Sequence, residues 1–328
     1  MIYSVSHTDL DGFGSQFVIA AFYNNVKYYN VDYGDVANIL DSIYSKITNN
    51  DVLYVTDLNL TLDISKKLDS ARKAIGFKIQ LLDHHITGMD SAEIYDWYHL
   101  DTKICATKIT YNYMTQKFPD TILPDWLKET VDMINVYDMW IKKDKLFRKS
   151  QLLSNTIFES KLDSSKNSQF MINLIKKVGA LLQVLSVQEV EKVIPSTICE
   201  ILSNLTTDKN LKRFINSKNI STTVKLGTFP VETLREHIYI SKRLFGVDVI
   251  FFKDISSRTS QYAFDYLLDS ISYKDSVLVK YNSETNTLSC RSRNSKAVEV
   301  AKLFGGGGHP DAAGAKFEGK LEDYLTVN

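Results

Sequence analysis

The sequence predicts an α/β protein with two domains: an N-terminal domain built on a parallel sheet (1–160), a helical connector (161–219) and a smaller C-terminal α/β domain (220–328). Three observations predict it. At 328 residues, 44% of them hydrophobic and 24% charged, the chain is long enough for two cores and too apolar to stay disordered. Over the first hundred residues, short apolar runs alternate with segments of helical period, as when parallel strands are joined through helices. A Ser/Asn/Lys-rich stretch follows, and beyond Thr222 the alternation of strand and helix starts again.

The elements follow in order. Apolar runs at 2–5 (IYSV), 26–31 (VKYYNV), 51–56 (DVLYVT) and 78–82 (KIQLL) are short and rich in β-branched and aromatic residues, as buried strands are. Between them, 14–24, 35–47 and 61–75 carry apolar residues three or four apart and read as amphipathic helices. Two further helices, 106–118 and 125–140, precede the connector. Beyond it the reading is a strand at 223–229 (TVKLGTF), a helix near 231–245 (VETLREHIYISKRLF) and a strand at 247–254 (VDVIFFKD). A hairpin over 277–292 turns near 282–285, and a short helix at 297–304 runs into Gly305-Gly306-Gly307-Gly308-His309.

Composition narrows the function. The 39 basic and 39 acidic residues cancel, which weighs against long nucleic acid held by many phosphate contacts and leaves short or compact anions. Cys105, Cys199 and Cys290 are far apart and form no CxxC pair, so a disulfide framework and a thiolate zinc site are both disfavoured and a reducing cytosol fits. No apolar run approaches the roughly 20 residues of a membrane span, and no basic stretch leads into an apolar core at the start. The expectation is a soluble, cytoplasmic protein without membrane contact.

The acids and histidines stand at strand ends. His7, Asp9 and Asp11 alternate directly after the first strand, Asp57 follows the third, and Asp83-His84-His85 follows the fourth. If the segment after the first strand stays extended, its three side chains share one face. In open parallel sheets ligands bind at the carboxyl edge, so these dispersed residues should meet in one crevice, with Asp138 from a helical stretch closing the group. Singly, each has an ordinary explanation: Asp32, after the second strand, reads as a helix N-cap, and His99 and His237 as surface residues. Together the acids would repel and desolvate one another unless cations neutralise them. Carboxylates with a few imidazoles suit Mn²⁺ or Mg²⁺, and two such ions about 3.5–4 Å apart serve displacement at phosphorus. Residue types alone therefore point to hydrolysis of a phosphate ester.

The ordered set His7-Thr8-Asp9-Leu10-Asp11-Gly12, Asp57, Asp83-His84-His85 and Asp138 resembles the four motifs of the DHH phosphoesterase superfamily. The C-terminal Gly305-Gly306-Gly307-Gly308-His309-Pro310-Asp311-Ala312-Ala313-Gly314, preceded by Cys290-Arg291-Ser292-Arg293, resembles the DHH-associated domain of its short-oligonucleotide hydrolases, the nanoRNases that also act as pAp phosphatases. The resemblance implies two Mn²⁺ ions, with Mg²⁺ or Co²⁺ as substitutes. His7, Asp9 and Asp57 would hold one ion, and Asp11, Asp57, His84 and Asp138 the other. It also implies that Asp83 orients the neighbouring imidazole and that His85 contacts the substrate phosphate. Arg291, Ser292, the amides of Gly306, Gly307 and Gly308, and His309 would grip a terminal phosphate.

The function so implied is hydrolysis of very short oligonucleotides to mononucleotides, with pAp as a further substrate. Cyclic di-AMP or its linear dinucleotide is an alternative, and a non-catalytic nucleotide-binding protein is an alternative of another class. A RecJ-like exonuclease on long single strands fits the short, neutral chain less well. The expected partners are short oligonucleotides or dinucleotides rather than long duplexes, and a second copy of the chain in a homodimer.

Overall fold

A computed structural model of the chain describes residues 1–158, 168–186, 189–190, 237–255, 260, 263–264, 267–268 and 273–325. By their contacts, residues form two units: Met1–His84 with Gly88–Thr222, and His85–Thr87 with Thr223–Asn328. The adjacent residues His84 and His85 thus belong to different units. The expected boundary at 219/220 and the strand at 223–229 lie outside the described residues.

In the first unit the strands are β1 (Ile2–Ser6), β2 (Val26–Asn30), β3 (Val52–Thr56), β4 (Lys78–Asp83) and β5 (Tyr98–Leu100). They form one parallel sheet in the order β2-β1-β3-β4-β5, with Ile2 opposite both Val26 and Val52. The chain leaves β1 to one side for β2 and returns to the other side for β3. That reversal opens a crevice at the carboxyl ends of β1 and β3. Helices α1 (Leu10–Phe22), α2 (Val36–Tyr44), α3 (Leu62–Ile75), α4 (Met89–Ile94), α5 (Ala106–Lys117), α6 (Asp125–Asp138), α7 (Phe147–Phe158) and α8 (Ser168–Val184) complete the unit. One core joins α1, α5, α6, α7 and α8 through Phe13, Met114, Val131, Leu153 and Ile175. The other packs Leu40, Ile43 and Leu68 of α2 and α3 against Val5, Leu53 and Val55. A fully buried leucine or phenylalanine contributes about 1.5–3 kcal/mol.

Two features differ from expectation. Helix α1 starts at Leu10 rather than Gly14, because Asp9 accepts a hydrogen bond from the Gly12 N–H at 2.9 Å as its N-cap. A Cβ on Gly12 would lie 2.3 Å from the His7 carbonyl oxygen, so only glycine lets the helix begin this close to the strand end. Asp11 is therefore in the first helical turn, and the three side chains do not share the face of an extended segment. Helix α8, expected in the connector, buries Met171, Leu174, Ile175 and Val178 in the core of the first unit. Within the Ser/Asn/Lys-rich stretch this segment is itself largely apolar, with Met171, Ile175 and Val178 spaced along one face. The rest of the connector lies outside the described residues.

The second unit holds β6 (Ile238–Leu244), β7 (Val247–Lys253), β8 (Val277–Asn282), β9 (Thr287–Arg291), β10 (Gly307–Gly308) and β11 (Ala312–Lys316), with α9 (Ala297–Leu303) and α10 (Leu321–Tyr324). Its sheet order is β10-β11-β9-β8-β7-β6. Residues 238–244 are an edge strand, which corrects the helix expected near 231–245. Phe245 and Gly246 both have positive φ, 52° and 79°, and form the tight turn that folds β6 back onto β7. Residues 231–236 lie outside the described residues. Ala263, Phe264, Leu267 and Leu268 are buried against Ile250, Phe252 and Leu278. The opposite face of the sheet packs α9 through Val279, Cys290 and Ala313. Among the described residues no helix is long and apolar enough to cross a membrane.

Candidate active site

The crevice of the first unit collects His7, Asp9, Asp11, Asp57, His84 and Asp138. Asp11, Asp57 and His84 are about 1% exposed each. His7 Nδ1 lies 3.0 Å from Asp9 Oδ2 and 3.9 Å from Asp57 Oδ2. His84 Nε2 lies 3.1 Å from Asp57 Oδ1 and 3.4 Å from Asp11 Oδ2. The other nitrogen of His84, Nδ1, is 3.6 Å from Asp138 Oδ2 at the end of α6. Two sets of donor atoms, one from His7, Asp9 and Asp57 and one from Asp11, Asp57 and His84, each fall within 4.8 Å of one another. Asp57 belongs to both.

Backbone and neighbours hold these groups in place. Asp57 has φ of +56°, a left-handed conformation rarely adopted by non-glycine residues and a recurrent mark of functional sites. Its carboxyl is pushed well above the ordinary carboxylate range, first by burial and then by Asp9, Asp11 and Asp138. For His7, burial opposes the charged form, yet Asp9, Asp32 and Asp11 outweigh it and raise the imidazole above its usual value. The Asp11 carboxylate accepts from the N–H groups of Ala106 and Thr107, both at 2.7 Å, at the positive end of α5. The Cys105 N–H donates to Asn135 Oδ1 at 2.9 Å, tying the start of α5 to the helix that carries Asp138.

Asp83 is fully buried and accepts a 2.7 Å hydrogen bond from the Tyr98 hydroxyl of β5. Burial and then Asp83 hold the Tyr98 hydroxyl far above its usual range, so it remains a neutral donor. The sequence reading missed Tyr98 and the α5 amides. It also missed Tyr33, whose ring centroid lies 5.2 Å from that of His7. Each approaches from an element remote in sequence. Asp32 makes no capping hydrogen bond, contrary to expectation. It accepts from Thr8 Oγ1 at 2.6 Å and lies 3.8 Å from His7 Nε2. His99 and His237 are exposed, as expected of ordinary residues.

In the second unit, Arg291 ends β9, half-buried, with Nη1 donating to the Cys290 carbonyl at 2.9 Å. Ser292 is fully buried and its hydroxyl donates to Asp311 Oδ1 at 2.7 Å while accepting from the Ala297 N–H at 3.2 Å. In this geometry the hydroxyl joins the loop to the start of α9. Ser292→Ala should therefore lower stability by about 1–3 kcal/mol by orphaning buried partners. The check is a urea midpoint shift with bound metal unchanged.

The glycine run divides in function. The Gly306 N–H donates to the Ala301 carbonyl at 3.0 Å and closes α9. Gly307 and Gly308 pair with Gly314 and Ala313, and Gly308 has φ of +133°, which disfavours any other residue. His309, half-buried, accepts the hydrogen bond that closes the turn into β11, from the Ala312 N–H at 3.3 Å. His85, also buried, groups with this unit.

Residues 245–327 match the family model of the DHHA1 domain. Over 98% of its length the chain is 26% identical to a 3',5'-cyclic-nucleotide phosphodiesterase of Helicobacter pylori, covering 94% of that protein. A crystal structure of an uncharacterised Helicobacter pylori protein is similar over 99% of this chain and 95% of its own, at 25% identity and a TM-score of 0.54. The motif order, the acid and histidine crevice at the sheet switch point and these matches together support a phosphoesterase of the DHH/DHHA1 type, with residues 245–327 matching the DHHA1 domain.

Proposed function

We propose that this phosphoesterase is a metal-dependent phosphodiesterase acting on very short oligonucleotides. Asp57 carries the reading, because its carboxylate belongs to two overlapping sets of donor atoms. Those sets consist of carboxylate oxygens and imidazole nitrogens without a thiol, which fits two Mn²⁺ ions. His7, Asp9 and Asp57 would hold one, and Asp11, Asp57, His84 and Asp138 the other. Such a pair, when bound, stabilises charge on the attacking and leaving oxygens of a displacement at phosphorus.

The chain's own residues do the positioning. The α5 amides fix the Asp11 carboxylate, and the left-handed backbone at Asp57 directs the shared one. Tyr98 holds Asp83, which would orient the imidazole beside it, while His85 would contact the substrate phosphate. Arg291, with Gly307, Gly308 and His309, would bind a terminal phosphate of the substrate. A chain with no net charge gains little from a long polyanion, which favours short substrates. A second reading, turnover of 3',5'-cyclic nucleotides, is supported by the name of the full-length relative.

The test is a panel with Mn²⁺: pAp, dinucleotides, pentanucleotides, a long single strand, cyclic di-AMP and 3',5'-cyclic AMP. Oligonucleotides of two to five residues should be turned over best, and chelation should stop turnover until Mn²⁺ is restored. Preference for a cyclic nucleotide would install the second reading, and turnover of none would leave a binding module. Arg291→Ala should raise KM for the short oligonucleotides about tenfold, with metal content unchanged.

A further inference from the structure

The end of β2 closes on His7 through three residues. Asn30, the buried last residue of β2, donates from Nδ2 to the His7 carbonyl at 2.7 Å, while its own Oδ1 is buried with no donor among the described residues. Burying that oxygen unmet costs about 1–3 kcal/mol, so this contact serves geometry more than stability. Two residues on, Asp32 Oδ1 accepts from Thr8 Oγ1 at 2.6 Å and stands 3.8 Å from His7 Nε2. The Tyr33 ring packs against the imidazole, with centroids 5.2 Å apart and planes inclined by 39°. Strand pairing sets this register: Asn30 lies opposite Ser6, and the Val31 N–H donates to the Ser6 carbonyl at 2.9 Å.

We infer that Asp32 and Tyr33 are positioning residues for the ion proposed at His7, Asp9 and Asp57, holding the His7 imidazole with Nδ1 toward the two carboxylates. The inference rests on the proposed metal-dependent activity and adds to it the end of β2, which carries none of the expected ligands. The half-buried His7 side chain turns about two torsions, and a fixed backbone alone leaves it several rotamers. Asn30 and the close approach of Gly12 fix only the His7 backbone. The ring needs an edge and a face as well. Asp32 places a carboxylate on the Nε2 edge, which favours the tautomer protonated there. The Nδ1 lone pair is then left toward Asp9 Oδ2, 3.0 Å away, and Asp57 Oδ2, 3.9 Å away. Tyr33 supplies the face, and Thr8 holds Asp32. The clamp acts on one donor set, since Asp11 of the other is held by the α5 amides and His84 lies beside Asp138.

The experiment is a calorimetric titration of the chelator-treated full-length protein with Mn²⁺, comparing wild type with Asp32→Ala, Tyr33→Leu and Tyr33→Phe. Asp32 and Tyr33 are both exposed, so their replacement should leave folding intact. Asp32→Ala and Tyr33→Leu should each weaken one of the two ions about tenfold and leave the other unchanged. Tyr33→Phe keeps the ring and should restore wild-type affinity. Unchanged affinity for both ions in Asp32→Ala or in Tyr33→Leu overturns the clamp while the proposed activity stands. Equal weakening of both ions, or a Tyr33→Phe variant as weak as Tyr33→Leu, overturns it too. Wild-type protein that binds no Mn²⁺ removes the metal-dependent reading and the clamp together.

Discussion

Asp57→Ala should abolish turnover by on the order of a thousandfold or more, and bound Mn²⁺ should fall with it. No other side chain contributes to both donor sets of the first unit, so this change strips a ligand from each. Calorimetric titration provides the check: two ions bound with wild-type affinity would mean that Asp57 does not bridge. The metal-free protein should respond in the opposite sense. Burial and three neighbouring acids hold the Asp57 carboxyl above its unfolded value, so the folded state binds its proton more tightly than the unfolded chain does. Its contribution to stability is complete below about pH 4 and is lost as pH rises through the elevated folded value. Asp57→Asn should therefore stabilise the metal-free protein at neutral pH and flatten its loss of stability with rising pH. Thermal unfolding in chelator between pH 4 and 8 would show this, and a metal-free variant less stable than wild type across that range would contradict it.

His84→Ala should also be severe, and its contrast with His85→Ala is diagnostic. His84 is buried between Asp57, Asp11 and Asp138, so its loss should weaken metal binding and turnover together. His85 groups with the second unit, and its replacement should leave both ions bound while lowering kcat on the order of a hundredfold. Metal content measured on each purified variant separates the two roles. Equal metal loss in both would make the histidines joint ligands.

Much of this site was legible because parallel sheets bring strand ends together. The order of short apolar runs and helical segments placed His7, Asp57 and His84 at one edge without any knowledge of contacts. The reading failed where local pattern and tertiary environment diverge. An alternating His7, Asp9 and Asp11 suggested an extended segment, yet the Asp9 cap and the space over Gly12 start a helix there. Residues 238–244 carry apolar residues compatible with a helix, and the turn at Phe245 and Gly246 makes them a strand.

By itself the sequence determined which acids and histidines follow which strands, in an order that resembles the motifs of the DHH phosphoesterases. Hydrophobic period and strand-end position are local properties, so they survive without coordinates. Only the tertiary structure decided how the groups are held. Asp11 meets the amide of Ala106, 95 residues away, and Tyr98 reaches Asp83 from a three-residue edge strand. These relations depend on register and packing between distant segments, where no local pattern selects one partner over another and the lowest free energy of the whole fold does.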